Sequence, residues 1–228
     1  MSKFAIRMLP LLGVLLLVGV SPAHAQSVSA YFGLGSAIDS SATNPGCASG
    51  RIFDPLSSST PPPCIPASDM GGVFGVFGAD FMITPHLGFN GEYSFRFAQS
   101  QYVISIDNGT GGPIPINIRP AFYDFNAVYQ PGSGDKRVVP VIEGGIGGAK
   151  LSFYASQSLG TISNQSQLFA TSNHFQVHGA VGVKLYVKSD IFIKPQVDVH
   201  YVPNLTNQYG RNVVPEFTIS IGYSFGRT

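Results

Sequence analysis

The stretch Val213–Phe225, V-V-P-E-F-T-I-S-I-G-Y-S-F, decides how the rest of the chain is read. Taken two at a time, it puts Val213, Pro215, Phe217, Ile219, Ile221, Tyr223 and Phe225 on one side. Val214, Glu216, Thr218, Ser220, Gly222 and Ser224 fall on the other. Side chains of a β-strand point alternately to its two faces, so the spacing predicts one long strand with an apolar face and a small, polar one. A tilted strand needs about 9–11 residues to cross a bilayer, and an ordinary strand has only about five or six. This stretch has the longer measure.

Seven more stretches with the same character lie upstream. They are Ile191–Tyr201, His174–Val187, Arg137–Phe153, Ile118–Tyr129, Leu87–Phe97, Gly71–Ile83 and Val28–Ile38. Those at Leu87, His174 and Ile191 alternate most cleanly. In Arg137–Phe153 both faces start apolar, and Gly144-Gly145 and Gly147-Gly148 then interrupt the run. Such glycines mark a bulge or a close approach of backbone to large side chains. A nucleotide-binding turn would need a helix next, whereas strand-like residues follow. The connections alternate strictly in length. Long ones at 39–70, 99–117, 154–172 and 203–212 are separated by short ones at Thr84-Pro85-His86, 130–136 and Lys188-Ser189-Asp190. An all-β, eight-stranded antiparallel up-and-down transmembrane barrel has this asymmetry, with both termini on the side of the short turns.

Composition agrees with this reading. Only 11% of the 228 residues are charged, against about 25% in a typical soluble domain. There are 27 Gly, 17 Phe and 10 Tyr, which suits many strands packed side by side. Residues 1–25 read as a cleaved signal peptide: Lys3 and Arg7, then the apolar run Leu11–Val20, then Ala23-His24-Ala25 before Gln26. The remainder, 26–228, is expected to be one domain with eleven basic and twelve acidic residues and no basic patch, which argues against nucleic acid as a partner. Cys47 and Cys64, the two cysteines of the chain, lie in the first long connection. In an exported protein such a pair is expected to form a disulfide, and no His lies near them to complete a metal site.

Alternation alone does not say which face looks outward: a soluble carrier barrel hides its apolar face, a membrane barrel exposes it. The polar faces carry Glu92, Arg96, Asp124, Glu143, Lys184, Lys194, Asp198 and Glu216 among small residues. These fit the crowded interior of a narrow barrel, where Glu92 and Arg96, and Lys194 and Asp198, are expected to pair, and Glu216 with Lys194 or another basic residue at the same height. The apolar faces carry Tyr93, Tyr123, Tyr129, Tyr201 and Tyr223, as interfacial girdles do. The apolar face is therefore expected to meet lipid.

With its closing residues Gly222-Tyr223-Ser224-Phe225, the chain from Gln26 to Thr228 resembles the small eight-stranded outer-membrane barrels, such as the OmpA transmembrane domain and the related outer-membrane β-barrel domain proteins. Two departures are that Gly226-Arg227-Thr228 follow Phe225 and that there is no Trp. The resemblance implies a bacterial outer-membrane location and surrounding lipid. It also implies a monomer recognised by the outer-membrane assembly machinery through Tyr223 and Phe225. The function expected is a non-enzymatic, structural or surface-interaction role exercised through the long loops, with no cofactor, metal or catalytic residue. Three alternatives remain open. One is a narrow channel, and another is a soluble lipocalin-like periplasmic carrier. The third is a lipid A-modifying enzyme, for which Ser172 and His174 at the start of one strand and Glu143 on its neighbour would be the candidates, while His174, His178 and His200 read more simply as interior polar groups.

Overall fold

A computed structural model describes residues 27–39, 43–54, 59–107, 113–132, 136–159, 162–203, 205 and 212–226. The expected leader therefore lies outside the described residues. The elements are β1 (Ser27–Ala37), β2 (Arg51–Phe53), β3 (Cys64–Pro66), β4 (Gly72–Met82), β5 (Leu87–Arg96), β6 (Ser100–Asp107), β7 (Pro113–Tyr129), β8 (Val138–Leu159), β9 (Ile162–Tyr186), β10 (Ile191–Tyr201) and β11 (Val213–Phe225). No helix is present among the described residues.

Eight strands form the wall, antiparallel throughout, in the order β1, β4, β5, β7, β8, β9, β10, β11. β11 then pairs back onto β1, from Val28↔Phe225 to Ala37↔Glu216, and closes the barrel. Its other edge pairs with β10, from Ile191↔Tyr223 to Tyr201↔Val213. The closing strand is thus the seam, as a strand with partners on both edges must be. Pro215, which has no N–H to donate, lies near the hairpin end of β11, and its carbonyl accepts from Ile38 N at 2.8 Å.

The wall is inverted relative to a soluble protein. Phe125 is 72% exposed and Ile219 65%, while Lys194 and Lys184, on the opposite faces of their strands, are 1% exposed. A continuous apolar exterior of this extent is stable only against lipid. Tyr129 and Tyr223 stand at the short-turn end of that exterior, Tyr201 at the other, and Tyr93 faces Tyr123 across the β5–β7 pair.

The glycines of β8 are a close-approach device, not a bulge, because the β7–β8 register runs without a shift from Ile116↔Ala155 to Tyr129↔Ile142. A Cβ at Gly145 or Gly147 would run into the carbonyls of Phe125 and Tyr123 and the side chains of Asn126 and Asp124. Their bareness makes room for those two polar side chains inside the barrel.

Three of the four long connections are not the loops the sequence suggests. β8 and β9 pair continuously from Val138↔Leu185 to Leu159↔Ile162, with shifts only at Phe153/Tyr154 and Gln157/Leu159, so most of 154–172 is strand. β6 pairs with the first part of β7 across 99–117. Within 39–70, β2 and β3 form a small hairpin carrying the Cys47–Cys64 disulfide, whose Cα atoms are 5.8 Å apart. These extensions escape detection because their composition is that of loops. Their many Ser, Gln, Asn and Gly residues read as turn and loop signals, while the backbone ladder still pairs them. Ile52 and Ile65 of the disulfide hairpin pack on Ile116 of β7 and Phe153 of β8. The hairpins therefore brace one another.

Candidate functional site

Among the described residues, charged side chains converge in the interior of the barrel, which has three layers. At the end with the short turns, Met82, Val128 and Val141 form an apolar floor. At the opposite end Phe74, Ile118, Phe122, Ala149, Leu151 and Val214 of the wall meet Met70, Val202 and Leu205 from the connections, a plug whose members are all fully buried. Between them lies a polar column.

The column begins with Lys184, whose Nζ is 2.7 Å from Asp80 Oδ2 and donates to Ser29 Oγ at 3.3 Å. Above it Lys194 Nζ is 2.6 Å from Glu143 Oε1 and donates to Tyr31 Oη at 3.2 Å, with the ammonium 4.3 Å from the Tyr31 ring centre. Tyr31 in turn donates to Glu92 Oε2 at 2.6 Å and accepts from Asn90 Nδ2 at 2.8 Å. Gly78 on β4 lets this phenol lie flat across the barrel, since a Cβ there would strike its ring. Higher still, Asp198 takes Gln196 Nε2 at 2.5 Å and Thr218 Oγ1 at 3.3 Å, and His178 Nε2 lies 3.3 Å from it. His200 stacks on His178 at 4.9 Å and on Phe122 of the plug at 4.2 Å.

All eight charged residues singled out from the sequence are buried, but not in the expected pairs. Arg96 does not meet Glu92. It reaches the rim, 3.3 Å from Asp69 Oδ1 and 3.2 Å from the Asp69 carbonyl. Lys194 pairs with Glu143 and not with Asp198 or Glu216, and Glu216 instead accepts from Ser94 at 3.3 Å with His200 Nε2 3.4 Å away. The reason is geometric. Strands in a barrel are tilted and staggered, so residues at one height come from different positions along each strand. Spacing within one strand therefore does not predict partners across the lumen. Tyr31, Asp80, Asn90 and Gln196 were missed. Tyr31 and Asp80 share the polar alternation of their strands, which is the signal that could have found them.

The candidate enzyme triad is not assembled. Ser172 Oγ and His174 Nε2 are 2.8 Å apart near the rim, but Glu143 is held by Lys194 deep in the column. His174 pairs across the sheet with Ala149, six residues from Glu143, or about 20 Å along the strand.

Comparison with protein families and with curated proteins found no match. Solved structures do match. Over 89% of this chain and 97% of theirs, the coordinates superpose on the outer membrane protein OprG from Pseudomonas aeruginosa at 12% identity and a TM-score of 0.51. The fold is that of the small eight-stranded outer-membrane barrels. Ail, the attachment invasion locus protein of Yersinia pestis, here in complex with the heparin analogue sucrose octasulfate, matches at 12% identity and a TM-score of 0.48, over 88% of this chain and 99% of that one. Neisserial surface protein A matches at 15% identity and a TM-score of 0.43, over 90% and 100%.

Proposed function

We propose that this is a non-enzymatic outer-membrane protein, exported with removal of residues 1–25, whose barrel is an inert, closed anchor and whose hairpins do the work at the cell surface. The observation that carries the reading is the double closure of the lumen. An apolar floor and an apolar plug lie on either side of a column of paired charges, an arrangement that favours a lumen closed to ions. Against that inert centre, β9 continues well past the end of its neighbour β10, with 25 residues where β10 has 11, and pairs there with β8. At about 3.3 Å per residue, this carries the β8–β9 hairpin tens of ångströms beyond the belt. A rigid hairpin braced by a disulfide-closed neighbour suits contact with a partner, since little order has to be gained on binding. Tyr223 and Phe225, both exposed at the end of β11, suit recognition by the assembly machinery.

The test is cell fractionation with heat-modifiable gel migration, followed by planar-bilayer recording. Folded protein in the outer-membrane fraction without discrete conductance is expected. Steady single-channel steps, or recovery in the soluble periplasm, would overturn the reading. The Ser172–His174 contact favours a second reading, a lipid-modifying hydrolase, and acyl-chain release from lipopolysaccharide that Ser172→Ala abolishes would establish it.

A further inference from the structure

The polar column is short of positive charge, and near its top it is also short of hydrogen-bond donors. Six buried carboxylates, Asp80, Glu92, Asp124, Glu143, Asp198 and Glu216, face two buried lysines among the described residues, while Arg96 is taken by Asp69 at the rim. The amide chain is fixed from below: Asn90 Nδ2 donates to Asp80 at 2.6 Å, and Asn126 Nδ2 donates to Asn90 Oδ1 at 3.2 Å. That turns Asn126 Oδ1 onto His178 Nδ1 at 3.0 Å, while His178 Nε2 faces Asp198 Oδ1 at 3.3 Å. A neutral imidazole has one N–H and cannot serve two acceptors.

His200 is the sharper anomaly. It is 1% exposed, and neither ring nitrogen has a hydrogen-bond partner, although Asp124 Oδ2 lies 3.8 Å from Nδ1 and Glu216 Oε2 3.4 Å from Nε2. Gln176 Oε1 and Glu216 Oε1, buried close by, are also without a donor, and Gln176 Nε2 holds Asp124 Oδ1 at 2.6 Å. Buried polar groups are normally satisfied, so a group of orphans around one pair of imidazoles calls for a cation.

We propose that Asp124, His178 and His200 bind one first-row transition-metal dication of the zinc class inside the barrel. One donor atom from each lies within 4.8 Å of the other two. Bonds of 2.0–2.1 Å in a tetrahedral shell place ligand atoms about 3.4 Å apart, so binding the ion draws these atoms together. Two imidazoles and one carboxylate select Zn²⁺, Cu²⁺ or Ni²⁺ over Ca²⁺ or Mg²⁺, which prefer all-oxygen shells. Asp198 behind His178 and Gln176 behind Asp124 are placed as outer supports that orient the ligands, with His178 offering Nδ1 in exchange for Asn126. The ion offsets part of the acidic excess, and Phe122 stacked on His200 shields it from the rim. A metal there ties β7, β9 and β10 together across the lumen. It would be a structural centre that extends the inert-anchor reading without depending on what the hairpins bind.

The experiment uses the full mature chain, untagged, folded in detergent and stripped with a chelator. Titration with ZnCl₂ is expected to show one ion per chain. His200→Ala and Asp124→Asn should each weaken binding by at least ~100-fold, and Asp198→Asn by roughly 10–100-fold. His86→Ala, on an exposed turn, should leave it unchanged. Absence of stoichiometric binding to the folded wild type, or its loss in His86→Ala, overturns the proposal. Should a lumen variant fail to give the heat-modifiable band, X-ray absorption of the Zn²⁺-loaded wild type decides. Imidazole scattering with ligands at about 2.0–2.1 Å supports the site, and a shell of oxygens alone refutes it.

Discussion

Lys194→Met tests the column most directly. Lys194 is fully buried, its Nζ 2.6 Å from Glu143 Oε1 and 3.2 Å from Tyr31 Oη. Methionine has nearly the same length and no charge, so the variant keeps the packing and deletes the cation. Glu143, whose Oε2 already lacks a partner, is left uncompensated beside Glu92 and Asp80. Removing one member of a buried pair costs about 3–5 kcal/mol, mostly as the stranded charge of the other. Converting the partner as well, in Lys194→Met with Glu143→Leu, should recover most of that loss, giving a coupling of at least ~2 kcal/mol. Arg96→Ala is the contrast, because its partner Asp69 is 42% exposed and an ion pair open to water contributes about 1 kcal/mol or less. The assay is urea unfolding of the barrel in lipid vesicles, followed by tyrosine fluorescence and far-UV circular dichroism, since the chain has no Trp. A Lys194→Met barrel within about 1 kcal/mol of wild type, or an Arg96→Ala barrel less stable than it, would refute the reasoning.

Three further outcomes follow from the wall and the hairpins. Ile219→Arg, at the middle of β11 and 65% exposed, should destabilise the barrel in bilayers by about 2–4 kcal/mol; a neutral result would mean that this face meets water. Gly147→Val forces a branched side chain against the Tyr123 carbonyl and Asp124, so it should cost about 3 kcal/mol or abolish the heat-modifiable form. Cys47→Ser should leave the unfolding midpoint of the wall unchanged while speeding proteolysis between β1 and β4, because the 17-residue bridge lies wholly within one connection; a drop in the midpoint would show that the hairpin holds the wall together.

By itself the sequence determined the wall. The two-residue alternation of Val213–Phe225 and its seven counterparts is imposed by strand geometry, and lipid outside a narrow interior fixes which face is apolar, so strand number, direction and inside-out burial were all legible. It also placed Glu92, Asp124, Glu143, Lys184, Lys194, Asp198 and Glu216 on the inner face. Only the tertiary structure decided their partners, because tilt and stagger set which residues share a height: Lys194 meets Glu143, Arg96 leaves Glu92 for Asp69, and Asp124, His178 and His200 from three strands converge. Tertiary structure also decided that the polar stretches at 99–117 and 154–172 are largely strand. A ladder is made by backbone hydrogen bonds, which Ser-, Gln- and Asn-rich residues can form as well as apolar ones, so composition alone reads these stretches as loops.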